Sequence, residues 1–249
     1  TPPAEPPQAE PSDLNLRLQS GVFGNHLFRE GKIAAHWVTR SGESPRLIGA
    51  HPGPNSGLAL LFHASKGYVH LVIEGTPQAW VSPDAGLAGS RVELVATVPE
   101  LIVDDITVGS MRLVRSVLLD QFAGDVPALR PNHSAERVVF ERASADGEEE
   151  YRAVIEPLNG GRVEVLNDGR IRFAAAGNRL RLSVGFQTTQ PWLTPWDPEA
   201  LFVDADALDP RLRQLFAFLA YREVLLGGSW RFLTYFGRDT LYFLRLAGD

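Results

Sequence analysis

The sequence of 249 residues contains no cysteine and only one methionine. The absence of cysteine excludes disulfide bonds, thiolate metal sites and a cysteine nucleophile, although it leaves the redox compartment undetermined. No run rich in lysine or arginine is present and the formal net charge is -6, so the sequence offers no basic surface for a nucleic-acid backbone. No apolar stretch is long enough to cross a bilayer as a helix. We therefore expect neither nucleic acid nor a membrane span among its interactions.

The remaining composition is that of an ordinary soluble globular protein, with 44% hydrophobic and 22% charged residues. Residues 1–13 differ, because proline, glutamate, alanine and glutamine dominate them and predict an extended, solvated spacer. A spacer of this kind commonly follows a removed signal peptide or lipid anchor. We therefore expect a periplasmic or secreted location, with a frayed terminus of a cytosolic protein as the alternative.

Residues 14–190 are predicted to form one β-rich domain, because short apolar or alternating runs are separated by glycine, proline, asparagine and aspartate. Residues 57–64 and 68–74 flank the turn sequence Ser65-Lys66-Gly67 and predict a hairpin. Residues 91–98 alternate with a period of two and predict a further strand. The segment 110–122 has no clear period, and both helix and strand stay open for it.

Residues 162–186 predict three consecutive strands in a meander, with turns at Asn167-Asp168-Gly169 and Gly177-Asn178. Charged and apolar residues alternate along them, with Arg162, Glu164, Arg170, Arg172, Arg179 and Arg181 on one face and Val163, Val165, Ile171, Phe173, Leu180 and Leu182 on the other. An antiparallel sheet with one apolar face must cover that face with a second layer. The fold class predicted is therefore mainly β, an antiparallel β-sandwich.

The pattern changes after residue 190. Three prolines between residues 191 and 198 remove backbone donors and predict a stiff connector over residues 191–208. Asp209-Pro210 supplies an N-cap and a first-turn proline for a helix that we expect to run as far as Gly227-Gly228. A second helix is expected to begin near Arg238 and to run to Asp249. It is rich in leucine, phenylalanine and tyrosine, so we expect its packing partners to lie beyond residue 249.

Residues 228–241 (GSWRFLTYFGRDTL) resemble the opening of the helical barrel in glycogen-debranching-type and related six-hairpin glycosidases. The shared pattern is an aromatic pair, a small residue, and then Arg-Asp-Thr or Arg-Asp-Ser at a helix start. The match covers a short part of the chain. It implies that the sandwich is supersandwich-like, and that residues 209–249 are the first helices of a truncated (α/α)6 toroid, the catalytic domain of such enzymes.

The resemblance also implies a sugar-binding role for the residues of this run. Arg238 and Asp239 would line the subsite that holds the non-reducing sugar, and Trp230, Tyr235 or Phe236 would shape its wall. A guanidinium beside a carboxylate offers donors and acceptors that match vicinal hydroxyls. A local alternative is that Asp239 only interacts favourably with a helix dipole while Arg238 pairs on the surface.

Hydrolysis of a glycosidic bond needs a carboxylic acid and a carboxylate base. The resemblance places both on later hairpins, so we expect no catalytic residue within this chain. We also expect no cofactor and no metal site. The function implied is that of the N-terminal portion of an inverting glycoside hydrolase, and the expected partners are an α-glucan or oligosaccharide and the remainder of the helical barrel.

Other chemical candidates receive structural interpretations. Asp104-Asp105 follows an apolar run at an expected strand end and is predicted to be a turn or edge charge, not a catalytic dyad. The six histidines show no metal-ligand spacing, and His63 and His70 are predicted to meet, if at all, as a solvated cross-strand pair. We expect Trp192 and Trp196 to pin the connector between the sandwich and the helices.

A second function class stays open alongside the hydrolase. In that alternative the sandwich is a non-catalytic carbohydrate-binding or interaction module that carries the ligand surface itself. A third role, in which the sandwich only supports the barrel, is compatible with the hydrolase. The sequence identifies neither the sugar nor the linkage.

Overall fold

The computed structural model describes residues 13–64, 67–119, 129, 131–196 and 207–228. Two antiparallel sheets pack face to face, which confirms the mainly β sandwich predicted from the alternating strands. The larger sheet contains, in spatial order, β1 (Leu14–Ser20), β2 (Phe23–Glu30), β3 (Ile33–Arg40), β4 (Arg46–His51), β5 (Ser56–His63), β8 (Glu100–Ser110), β13 (Ile171–Ala174) and β12 (Arg162–Val165). The smaller sheet contains β6 (Leu71–Ser82), β7 (Leu87–Ala96), β14 (Leu180–Thr188), β11 (Glu150–Pro157), β10 (Val138–Ala143) and β9 (Asn132–His133).

The main core lies between the two sheets. Its largest side chains come from both layers, and they include Trp37, Phe62, Phe173 and Phe186. The Trp37 and Phe186 rings meet edge to face with centroids 5.4 Å apart. Burial of each such side chain stabilises the fold by about 1.5 to 3 kcal/mol, so this interlayer cluster accounts for much of the sandwich's stability.

The outer surfaces of strands β12, β13 and β14 carry ion pairs, as the alternation predicts. Arg172 and Arg162 both pair with Glu164, and Arg181 pairs with Glu74 and Glu93. The apolar partners predicted for these strands are buried apart from one residue, and the buried members are Val163, Ile171, Phe173, Leu180 and Leu182. The exception is Val165, which is 45% exposed at the end of the edge strand β12.

The predicted hairpin between residues 57–64 and 68–74 is wrong. Strand β5 belongs to the larger sheet, where it pairs with β4 on one side and β8 on the other. Strand β6 belongs to the smaller sheet and pairs with β7. Because both edges of β5 are already occupied, the chain must cross to the second layer before it can continue as a strand.

The predicted three-strand meander is wrong at its third strand. Strands β12 and β13 do form a hairpin across the turn at 167–169. The other edge of β13 is occupied by β8, so β14 lies in the opposite sheet between β7 and β11. The predicted turn at Gly177-Asn178 instead lies in the segment that carries the chain from one layer to the other.

The ambiguous segment 110–122 begins with a short helix, α1 (Met111–Leu118), as far as it is described. Ser110 ends strand β8 and caps this helix, since its hydroxyl accepts a hydrogen bond from the Leu113 amide. Met111 and Val114 are buried. The strand and the helix thus meet at one residue, which explains why no single period describes the segment.

The helix predicted after Asp209 is present but shorter than expected: α2 runs over Pro210–Leu219 and stops well before Gly227. Ala220 is extended, and the Tyr221 amide donates to the Val224 carbonyl at 3.0 Å. The Leu226 amide returns to the Leu219 carbonyl at 2.9 Å. A tight turn at residues 220–226 therefore takes the place of the end of the predicted helix, because it lets the side chains of Tyr221 and Leu226 pack against the sheet.

Replacing the cap of α2 tests the start of this helix. The Asp209 carboxylate accepts hydrogen bonds from the amides of Arg211 and Leu212, at 2.8 and 3.3 Å. Asp209→Ala is expected to cost about 1 kcal/mol of unfolding free energy in urea titrations, because those amides lose their acceptor. Asp209→Asn keeps an acceptor and is the control. Equal losses in the two variants would contradict a capping role.

Candidate functional site

The sugar-binding residues predicted from the resemblance lie outside the described residues. They are Trp230, Tyr235, Phe236, Arg238 and Asp239. The second predicted helix, from near Arg238 to Asp249, lies outside them as well. Two features of the described residues are relevant to function. One is the surface of the larger sheet on which α2 packs, and the other is a groove elsewhere on the sandwich.

One outer face of the larger sheet is apolar and covered by α1, α2 and the turn that follows α2. Leucines of β1 and β2 and alanines of β3, β4 and β5 form the floor, and they are Leu14, Leu16, Leu27, Ala34, Ala50 and Ala59. Met111, Val114, Ala217, Phe218, Tyr221 and Leu226 cover it from above. Alanine on the central strands lets helices approach the sheet closely. This second core fixes the helical segment to the sandwich, and we call it the helix-covered face.

A buried arginine crosses the helix-covered face. Arg29 of β2 is 1% exposed, and its Nη1 donates to the carbonyl of Ala217 in α2 at 2.9 Å. Tyr221 is buried beside it, and burial raises the pKa of the Tyr221 phenol, with a smaller opposing effect from Arg29. His36 of β3 meets the ring of Phe218 edge on, with centroids 6.3 Å apart. These polar groups give the contact a defined position that leucine packing alone would not.

The connector is held on both sides, as predicted for its tryptophans. The Trp192 ring lies 4.9 Å from that of His51 in the sandwich, and Arg222 lies 5.8 Å from the ring of Trp196. The Thr194 amide donates to the Glu223 carboxylate at 2.9 Å. The buried Nε1 of Trp192 has no hydrogen-bond partner among the described residues.

His51 sits in a closed polar cluster beneath Trp192. Its Nε2 lies 3.0 Å from Ser90 Oγ and its Nδ1 lies 3.3 Å from Ser56 Oγ. Trp37 Nε1 donates to the same Ser90 hydroxyl at 3.1 Å, and the His51 ring stacks on Phe186 at 3.7 Å. All these groups are buried. The polar groups of His51, Ser56 and Ser90 therefore hydrogen-bond to one another inside the core, where no substrate reaches them.

A groove of about 310 Å³ opens where strands β1, β2 and β3 pass the edge strand β6 of the other sheet. Its lining is mixed in character and consists of Arg17, Leu18, Gln19, Gly24, Asn25, His26, Thr39, Val72 and Ile73. Its volume is at the lower end of the range for small-molecule sites. The sequence singled out none of these residues as a site, because they come from four strands up to 56 positions apart and share no motif.

The other candidate side chains behave as structural charges. Asp104 accepts from His63 at 2.5 Å and from Arg170 at 3.2 Å. It lies inside β8, where the pairing with β5 shifts by one residue, and not at the strand end that we expected. His63 bonds to Asp104, while the His70 ring lies 4.8 Å from that of Tyr68, and no contact between the two histidines is found among the described residues. In the part of the chain that the structure describes, no three acidic or histidine side chains group as metal ligands.

Among the described residues, no helix has both the length and the apolar character needed to cross a membrane. Comparison with known protein families found no family that matches this chain, and comparison with curated proteins found no significant relative.

Proposed function

We propose that this chain is the N-terminal portion of a periplasmic or secreted glycoside hydrolase that acts on an α-glucan or oligosaccharide. In this proposal the sandwich is a platform for a helical catalytic domain, and the general acid and base lie outside the chain. Residues 228–241 suggest the enzyme class, through their resemblance to six-hairpin glycosidases. The observation that carries the proposal is the helix-covered face.

The two outer faces of the sandwich differ in a way that supports this role. The smaller sheet presents ion pairs to solvent, such as Arg152 with Glu141 and Arg181 with Glu93. The larger sheet instead presents a mainly apolar surface on β1 to β5, which α1, α2 and the turn after α2 cover. An apolar outer face on one sheet needs a third layer. Much of that layer is formed by α2 and its following turn, the chain immediately ahead of the glycosidase-like run, and α1 forms the rest.

The proposed sugar chemistry rests on Arg238 and Asp239. The guanidinium would donate hydrogen bonds to hydroxyl oxygens, and the carboxylate would accept hydrogen bonds from hydroxyl groups. Together the two side chains would bind two neighbouring hydroxyls of one sugar ring. Charge-assisted bonds of this kind are strong when water is excluded. Aromatic faces from Trp230, Tyr235 or Phe236 would pack against the C–H face of the ring. Cleavage would then need two carboxyl groups on later hairpins.

The test is to express the complete protein that carries this chain and to assay it against branched and linear α-glucans and aryl α-glucosides. We expect hydrolysis with inversion. Arg238→Ala or Asp239→Ala is expected to lower kcat/KM by roughly 100-fold, about 2.7 kcal/mol of transition-state binding. Arg179→Ala, which removes an exposed arginine of the sandwich, is the matched control. Absence of hydrolysis, or full activity in both subsite variants, would overturn the proposal.

A second candidate function is a carbohydrate-binding module, and the groove beside β6 favours it. In this candidate the sandwich holds the ligand itself, and no later domain is needed for binding. Affinity electrophoresis of the 249-residue chain through gels that contain neutral or acidic polysaccharides tests it. Retardation in any of these gels supports a binding module, and unchanged mobility in all of them removes it.

A further inference from the structure

The groove beside β6 is lined by polar atoms that form no hydrogen bond within the described part of the chain. Thr39 is 3% exposed, and its hydroxyl has no hydrogen-bond partner among the described residues. A Cβ added to Gly24 would lie 2.7 Å from this hydroxyl, so the Thr39 Oγ is directed at the glycine that lines the groove. Any larger residue at position 24 would fill this space. This hydroxyl is not one of the fully buried unpaired atoms of the described residues, so it is open to the groove and available to a ligand.

His26 presents a second unbound atom to the same groove. The residue is 3% exposed, and its Nε2 lies 2.5 Å from Asn15 Oδ1. Burial and, to a smaller extent, Arg17 lower the pKa of His26 to about 4, so the ring is neutral at physiological pH. With the proton on Nε2 for the bond to Asn15, Nδ1 is an acceptor. Nδ1 has no partner within the described ranges, so it is free to accept a hydrogen bond from a ligand.

Gln19 and Arg17 complete the polar lining. Gln19 Nε2 donates to the Gly21 carbonyl at 2.8 Å, and its Oε1 lies 3.4 Å from the Cβ position of Gly24, which leaves a second acceptor at the groove. Arg17 donates to the Gly75 carbonyl. No carboxylate within the described part of the chain pairs with Arg17. The groove therefore combines one cation that lacks a counter-ion with acceptors for hydroxyl protons.

We propose that this groove binds a sugar acid, meaning a pyranose that carries a carboxylate, such as a hexuronic acid unit of an acidic oligosaccharide. The Arg17 guanidinium binds the carboxylate, while His26 Nδ1 and Gln19 Oε1 accept from ring hydroxyls. The Thr39 hydroxyl binds a further oxygen. The inference rests on the binding-module candidate for the sandwich and not on the hydrolase proposal.

The apolar part of the lining fits the rest of such a ligand. Val72 lines the groove and is 48% exposed although it lies on a strand of the sandwich, whereas Ile73 packs toward the main core. A pyranose has one C–H-rich face that packs against aliphatic side chains of this kind. A small inorganic anion would use Arg17 but would leave this surface and both acceptors unused. The lining therefore favours a hydroxylated organic acid over a bare anion.

The test is isothermal titration of the 249-residue chain with D-glucuronate, D-glucose and acetate as separate probes. We expect D-glucuronate to bind at least about 10-fold more tightly than either of the others, because only it supplies both the carboxylate and the hydroxyls. Arg17→Gln is expected to weaken D-glucuronate binding by about 10-fold or more. Thr39→Val, which keeps the side-chain shape, should weaken it by a smaller factor.

Arg112→Gln is the matched control, because Arg112 is an exposed arginine on α1 that does not line the groove. Equal binding of D-glucose and D-glucuronate, or full affinity in Arg17→Gln, would overturn the inference. Acetate binding as tight as that of D-glucuronate would reduce the site to a carboxylate contact and would also overturn it. Retardation by neutral polysaccharides without D-glucuronate binding would leave the binding-module candidate intact while removing this site.

Discussion

Acidification from about pH 6 to about pH 5 is expected to lower the free energy of unfolding by about 2 kcal/mol or more, because three buried histidines resist protonation in the folded state. Burial, with a smaller effect of His26, lowers the pKa of His36 to about 3. Burial and Arg17 lower the pKa of His26 to about 4. Burial alone lowers the pKa of His51 well below its usual value of 6.5.

The sign follows from proton uptake. The unfolded chain protonates these imidazoles near pH 6.5, whereas the folded protein does not until much lower pH. Their contribution to stability is therefore fully present above pH 6.5 and is lost as the pH falls toward the folded-state values. Each histidine contributes a slope that approaches about 1.4 kcal/mol per pH unit. Within His51's cluster, a second ring proton would face the Ser90 hydroxyl that already accepts from Trp37.

Urea unfolding across this pH range measures the slope. His26→Gln is expected to reduce the slope by about a third to a half, because one of the proton-binding sites is gone. The same change at His133, which is exposed on β9, is the control. A slope in His26→Gln equal to that of the parent protein would contradict the assignment of this histidine.

Gly89→Ala is expected to destabilise the protein by at least about 3 kcal/mol, the upper end of the usual cost of overpacking. Gly89 lies on β7 beside β14. A Cβ there would lie 1.9 Å from the Phe186 carbonyl oxygen and 2.7 Å from the Gln187 Cα. Both atoms belong to the backbone of the neighbouring strand, so no side-chain rotation relieves the clash, and the two strands would have to separate.

Gly177→Ala is the matched control for this substitution. A Cβ at Gly177 meets no atom within 4 Å, so we expect unfolding free energy within about 1 kcal/mol of the parent protein. Thermal or urea unfolding of both variants gives the comparison. If Gly89→Ala were as stable as Gly177→Ala, the close pairing of β7 with β14 would be contradicted.

Local patterns foretold much of the secondary structure. The alternation of charged and apolar residues over 162–182 correctly predicted strands with one solvent-facing side, and Asp209-Pro210 correctly placed the start of α2. These predictions worked because periodicity and capping depend on residues a few positions apart. The end of α2 was missed because burial of Tyr221 and Leu226 against the sheet outweighed helix propensity, which is a tertiary effect.

The groove was beyond such reasoning. Arg17, His26 and Thr39 come from three strands, and nothing in their local sequence marks them as neighbours of Val72 on the opposite layer. Their unbound atoms become visible only when hydrogen bonds are followed in three dimensions. The subsite predicted at Arg238 and Asp239 is the opposite case. A local motif suggested it, but both residues lie outside the described residues, so it stays a prediction.

The sequence by itself determined that this is a cysteine-free β-sandwich whose strands have one solvent-facing side, followed by a helix that begins at an aspartate N-cap and a first-turn proline. Only the tertiary structure decided which sheet each strand joins, which face the helices cover, and where a groove opens. The physical reason is that backbone hydrogen bonding pairs any two strands equally well. The choice of neighbours is made by burial and by which edges are already occupied, as the crossings after β5 and β13 demonstrate.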